Sequence, residues 1–322
     1  MARLVKIVAG LLVAVLALLV IAFVALQRPD IPFTTLEAKY ASPASRFMDL
    51  PGGLHVHYRD QGNPKGPPIV LVHGFSASLH TWEPWVARLG GDYRVVSLDL
   101  PGHGLTRAPS SYQMSGGHFA DVIDAVAQQL RLGPYVVVGN SMGGGAAWAT
   151  ALRYPSHLRG LVLVDSVGLP GGERAKGSPL IFKILANPVG RALIKNLDTR
   201  SLAESGLRDA YVDKALVTPA LVDRYVELSR APGHRDILLN RQGQGAPVTA
   251  RAFQAIHTPT LVMHGEKDAL IPVASGRALA AAIPGARLIT YPGVGHVPME
   301  QIPDRSAQDL RAFLQGLPPA GK

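Results

Sequence analysis

Residues 135–147 read YVVVGNSMGGGAA: an apolar, β-branched run, a five-residue turn with glycine at each end and serine at its centre, then only small residues. This G-x-S-x-G turn restricts the possible folds more than any other stretch of the chain. A serine at a sharp bend from strand into helix has its hydroxyl pushed up from the sheet. Small residues on both sides let strand and helix approach closely. The N-terminus of the following helix directs free N–H groups at developing negative charge. A bare G-x-S-x-G also arises by accident in glycine-rich turns. The apolar strand before this one and the small residues after it set it apart, so Ser141 is read as a nucleophile.

The rest of the chain supplies a matching scaffold. Residues 55–60 alternate in polarity, and 69–72, 94–98, 135–138, 158–164 and 260–264 are continuous apolar runs, with 287–291 as a last strand. Continuous apolar strands imply burial on both faces, as in a parallel sheet covered by helices. Helical periodicity falls between them, at 119–130, 144–153, 273–282 and 305–314, and strands alternating with helices give an α/β fold. Residues 168–248 break this alternation. They offer no strand but short helical pieces at 180–186, 191–196 and 219–229, punctuated by proline and glycine. They are read as a helical insertion. The core is then expected from 46–167 and 249–318.

Residues 7–26 form an uncharged stretch of twenty, IVAGLLVAVLALLVIAFVAL. As a helix it spans roughly 30 Å, the thickness of a bilayer's hydrocarbon core. Arg3 and Lys6 precede it, and charges of mixed sign follow, so the positive flank is expected to stay cytoplasmic and the rest to lie across the membrane. The rival reading is a cleaved signal peptide, whose apolar region is shorter and ends in a small-residue site. Residues 1–27 are accordingly expected to be a single-pass anchor, or a signal in a secreted protein. Residues 28–45, with Pro29, Pro32 and Pro43, are expected to be a linker.

Other chemistries find no support in the sequence. There is no cysteine, which excludes a thiol nucleophile, a disulfide framework and a thiolate metal site. No histidine and carboxylate cluster has metal-ligand spacing, and no loop resembles a dinucleotide fingerprint, so neither metal nor cofactor is expected. The net charge of +9 comes without a long basic run or a nucleic-acid motif. It is read as solubility, or attraction to anionic headgroups, rather than nucleic-acid binding.

Four signatures in order bring a family into view: His73, Gly74 and Phe75 after one strand; Asp99, Pro101, Gly102, His103 and Gly104 after the next; the turn around Ser141; and Gly265 to Asp268 with Gly295 and His296. From about residue 46 to 314 the chain resembles the α/β-hydrolase superfamily, in its serine-nucleophile branch. The resemblance implies a mostly parallel eight-stranded sheet covered by helices, with the insertion as a cap after strand 6. A serine needs a base, and the base a carboxylate that fixes its tautomer. The resemblance assigns these to His296 and Asp268, with Asp165 as rival acid and Glu266 as a loop charge. The oxyanion donors would be the backbone N–H groups of Met142 and Phe75. Asp99 and Glu300 are read as structural.

Fold does not fix chemistry. Serine at 141 excludes the relatives that use aspartate there, the dehalogenases and epoxide hydrolases. Hydrolysis of carboxylic esters, apolar or lipid-like, is the preferred reading, with residues 180–185, Leu193 and Ile194 as candidate acyl-pocket lining. The alternative is a carbon–carbon bond hydrolase of aromatic ring-cleavage products. The residues around Ser141 and the cap residue Arg224 resemble that group, but His264 stands where it tends to have tryptophan, and Ser115 to His118 where it tends to have asparagine. A cofactor-free haloperoxidase and a non-catalytic binding protein are minor alternatives. The oligomeric state is not legible.

Overall fold

The computed structural model describes residues 1–169, 187–239 and 249–318. Eight strands form one sheet: β1 (Ser45–Leu50), β2 (Leu54–Gly62), β3 (Pro68–Val72), β4 (Arg94–Leu98), β5 (Tyr135–Asn140), β6 (Leu158–Val164), β7 (Thr260–Gly265) and β8 (Arg287–Tyr291). Their spatial order is β1-β2-β4-β3-β5-β6-β7-β8. β1 and β2 are antiparallel, as are β2 and β4; every later pairing is parallel.

The central strands are apolar throughout because both faces are covered. Val136 and Val138 lie on one face, with Ile69, Leu71, Val95, Val162 and Leu261. Tyr135 and Val137 lie on the other, with Val70, Val96, Leu161 and Val262. This is the period-two split expected of a pleated strand. The helices, in chain order, are α1 (Ala2–Ala25), α2 (Phe33–Tyr40), α3 (Glu83–Leu89), α4 (Gly116–Gln129), α5 (Met142–Arg153), α6 (Pro188–Ile194), α7 (Arg200–Ala210), α8 (Pro219–Ser229), α9 (His234–Leu239), α10 (Ala250–Phe253), α11 (Val273–Ala282), α12 (Pro298–Gln301) and α13 (Pro303–Gln315). α3 and α13 cover the first face through Trp85, Leu89, Leu310 and Phe313. α4, α5 and α11 cover the second through Phe119, Ile123, Ala146, Ala147 and Leu279.

Between β6 and β7 the described elements are all helical, α6 to α10, apart from a single 3₁₀ turn, and α8 begins and ends where the periodicity placed it. Residues 180–185, a candidate pocket lining, lie outside the described residues. α1 buries none of its residues, and it is long and apolar enough to cross a membrane. The segment expected as a linker carries a helix of its own. Leu36 of α2 is 1% exposed and packs with Leu105 of the core and Leu228 and Ala231 of the inserted helices. β1 was not anticipated as a strand: SRFMDL mixes polar and apolar residues, and as an edge strand it is only half-buried.

Candidate active site

Ser141 stands where β5 turns into α5, at φ 56° and ψ −117°. A non-glycine residue at positive φ costs of order 1–3 kcal/mol, a strain that persists only where its surroundings over-determine it. Here they do. The Ser141 N–H donates to the Val164 carbonyl at 3.0 Å, and its carbonyl accepts from Gly145 at 3.2 Å and Val167 at 3.1 Å. The flanking glycines are required by space. A Cβ at Gly139 would collide with the Gly143 carbonyl, and one at Gly143 with the Val72 and His73 carbonyls. Strand and helix therefore meet backbone to backbone.

The loop after β3 lies directly against this turn. A Cβ at Gly74 would sit 3.1 Å from that of Ser141. Among the described residues, neither the Phe75 nor the Met142 N–H donates to an acceptor. They flank the serine from the β3 loop and from the first turn of α5. The Phe75 ring is half exposed and meets His103 edge-on, with ring centroids 5.9 Å apart.

His296 follows β8, and its Nδ1–H donates to Asp268 Oδ2 at 2.7 Å. The other Asp268 oxygen accepts from the N–H groups of Leu270 at 2.8 Å and Ile271 at 2.9 Å. Burial pushes this carboxyl up, but the hydrogen bond and charge of His296, helped by the two N–H groups, outweigh it and hold it below the usual range. Asn140, just before the serine, donates from Nδ2 to the His296 carbonyl at 3.1 Å and to Val164 at 3.2 Å. The serine turn and the histidine loop are thus tied together. The Ser141 hydroxyl itself has no hydrogen-bond partner among the described residues. Serine–histidine contacts are often long in ligand-free sites and tighten around substrate.

Asp165 ends up beside this pair. It is wholly buried at φ 45°, accepts from the Gly265 N–H at 2.8 Å and leaves its Oδ2 without a donor. Burial and then the Asp268 charge push it well above the ordinary carboxyl range. Two carboxylates so placed oppose each other's ionisation, which favours the protonated form of Asp165 and the charged form of Asp268. His264 completes the cluster, donating from Nε2 to the Ile271 carbonyl at 2.9 Å. The ligand-type atoms of Asp165, His264 and Asp268 lie within 4.8 Å of one another. Sequence spacing hid this cluster, because Asp165 follows β6 whereas His264 and Asp268 stand together at the end of β7. By donor type it suits a cation, but Asp268 is already held by His296 and two N–H groups.

The remaining candidates are engaged elsewhere. Asp99 accepts from the N–H groups of Leu79 at 2.7 Å and Leu105 at 2.9 Å and from His57 Nδ1 at 2.7 Å. His73 donates to the Gly74 carbonyl and accepts from the Leu100 N–H. Glu266 accepts from Thr290 on the surface. Glu300 is half-buried between Thr81 and Tyr211, whose hydroxyl donates to it at 2.7 Å. Arg224 lines a cavity of about 400 Å³ with Lys39, Arg59 and His80, which contains neither Ser141 nor His296. Sequence reasoning missed Asn140 and the end of α7, where the Ala210 carbonyl accepts from the His296 N–H at 2.8 Å.

A mostly parallel sheet with a serine on a strained strand-to-helix turn, and a paired histidine and aspartate beyond its last strands, is the framework of a hydrolase. The chain belongs to the α/β-hydrolase fold family, whose sequence profile matches residues 67–302. It is 26% identical to a 2-hydroxymuconate semialdehyde hydrolase of Pseudomonas sp. (strain CF600), covering 81% of this chain and 90% of that one. It is 27% identical to Lipase 1 of Psychrobacter immobilis, over 83% of both. Among solved structures, a bacterial membrane phospholipase A superposes with a TM-score of 0.71 at 24% identity, covering 98% of this chain and 99% of that one.

Proposed function

We propose that the protein hydrolyses carboxylic esters through an acyl-enzyme on Ser141. The observation that carries this reading is the His296–Asp268 hydrogen bond of 2.7 Å, joined through Asn140 to a serine on a strained turn. Asp268 fixes the tautomer with Nε2 free to accept the serine proton. Ser141 Oγ attacks the ester carbonyl, and the oxyanion forms against the Met142 and Phe75 N–H groups. His296 then protonates the departing alcohol, water enters by the same base, and the acid leaves.

Substrate class follows from the anchor and the insert. The α1 helix holds the enzyme at a membrane, with the hydrolase domain on the exported side, and the inserted helices act as a cap over the serine. An apolar or lipid-like ester suits that position, and the similarity to a lipase supports it. The similarity to 2-hydroxymuconate semialdehyde hydrolase favours a second reading, carbon–carbon bond cleavage. In that reading Arg224 would be expected to face the substrate; the cavity it lines includes neither Ser141 nor His296. A panel of 4-nitrophenyl esters of rising chain length, run beside a ring-fission dienone, separates the two. Turnover of esters is expected; turnover of the dienone with inert esters overturns the assignment. A fluorophosphonate adduct on Ser141 is expected in either case, and its absence would point to a non-catalytic binding protein.

A further inference from the structure

The apolar helix does not hang from the core on a free tether. The Leu26 carbonyl, one residue past the end of α1, accepts from the Asp198 N–H at 2.8 Å, and the Arg28 N–H donates to the Asn196 carbonyl at 2.6 Å. Between them Gln27 pairs with Leu197 as an antiparallel bridge. The Arg28 guanidinium meets the Asp198 carboxylate at 2.9 Å. The next residues are held as firmly: Arg230 donates to the Pro29 carbonyl at 2.9 Å, and Arg235 to the Arg28 carbonyl at 2.7 Å. The Ile31 N–H donates to the Arg230 carbonyl at 2.8 Å. All of these partners belong to the insertion between β6 and β7.

This fixes where a bilayer must lie. A spanning helix leaves the hydrocarbon at its end, so residues hydrogen-bonded to Leu26 and Arg28 stand at headgroup depth. Of these, Asn196 and Asp198 form the corner between α6 and α7. Among the described side chains of these helices, Val189 on α6 at 65% and Leu202 on α7 at 71% are large, apolar and exposed. α7 then runs from this corner to Ala210, whose carbonyl holds the His296 N–H. At 1.5 Å per residue that is about 16 Å.

We propose that the α6–α7 corner is a membrane-docking face, with Val189 and Leu202 seated among lipid headgroups and α7 as a strut between the bilayer and the histidine loop. The partner is a lipid bilayer. The inference rests on the reading of α1 as an anchor and not on the ester chemistry.

The absence of native cysteine makes the test direct. Full-length Val189→Cys, Leu202→Cys and, as a control at the opposite end of the sheet, Lys65→Cys each receive one environment-sensitive fluorophore. The proteins are reconstituted into phosphatidylethanolamine–phosphatidylglycerol vesicles with nitroxide-labelled lipids. A blue shift and quenching at 189 and 202, absent at 65, is expected. Quenching at 65 but not at 189 and 202, equal quenching at all three, or none at any site in protein that floats with the vesicles overturns the docking face. Failure to float overturns the anchor itself, and neither outcome touches the ester panel.

Discussion

The backbone at position 141 is held against its own preference, and the cost is separable from the chemistry. A glycine there adopts φ 56° without penalty, so Ser141→Gly should abolish turnover yet unfold at a higher temperature than Ser141→Ala, by about 1 kcal/mol. Loss of the nucleophile should reduce kcat by about 10⁶; matched turnover assays and thermal melts of the two variants check both halves. A second residue-scale test concerns Asp165, the buried carboxyl whose protonated form is favoured. A raised folded value favours the fold fully below the unfolded carboxyl range, near pH ~4, and weakens it as pH rises toward the folded value. Asparagine can still accept from Gly265 and donate to Asp268, without that titration. Asp165→Asn should therefore melt higher than the parent at pH 8 and converge with it at pH 4. Ser141 and His296 stood out as candidates because each sits in a motif with its own local physics. The pairing of Asp165 with Asp268 was not legible, because it exists only once β6 and β7 lie side by side.

Elements legible in advance were those with a strong period: α8, and the five apolar strands of the sheet's middle. Those that escaped were amphipathic or short, and their partners lay far along the chain. α2 is the clearest case. FTTLEAKY has one residue that must be buried, Leu36, and no helical stripe announces it, yet that residue joins core and insert. Leu36→Ala should destabilise the fold by about 2–5 kcal/mol, the cost of an unfilled cavity at a buried leucine. Denaturant titration measures it. Because Leu36 touches neither Ser141 nor His296, the folded variant should keep the parent's kcat on a soluble short-chain ester.

At the scale of the whole molecule, the hydrolase domain and the apolar helix are expected to divide the work. A chain beginning at Leu26 keeps the hydrogen bonds that tie Leu26, Arg28 and Pro29 to the insertion but lacks α1. It should cleave a soluble ester with the parent's kcat/KM while losing most of its rate on the same acyl group presented in vesicles. Paired assays on the two substrate forms test this. The +9 charge adds a salt-dependent attraction to anionic vesicles that screens out as ionic strength rises.

The contacts of α2 also bear on biosynthesis. Lys39 and Tyr40 pair with Glu227, the lysine across 188 positions of sequence. The stretch that emerges early from the ribosome therefore waits for about two thirds of the polypeptide before Glu227 exists. Contacts of such separation close slowly. Until residues 228–234 are made, Leu36 lacks Leu228 and Ala231, and Phe33 lacks His234.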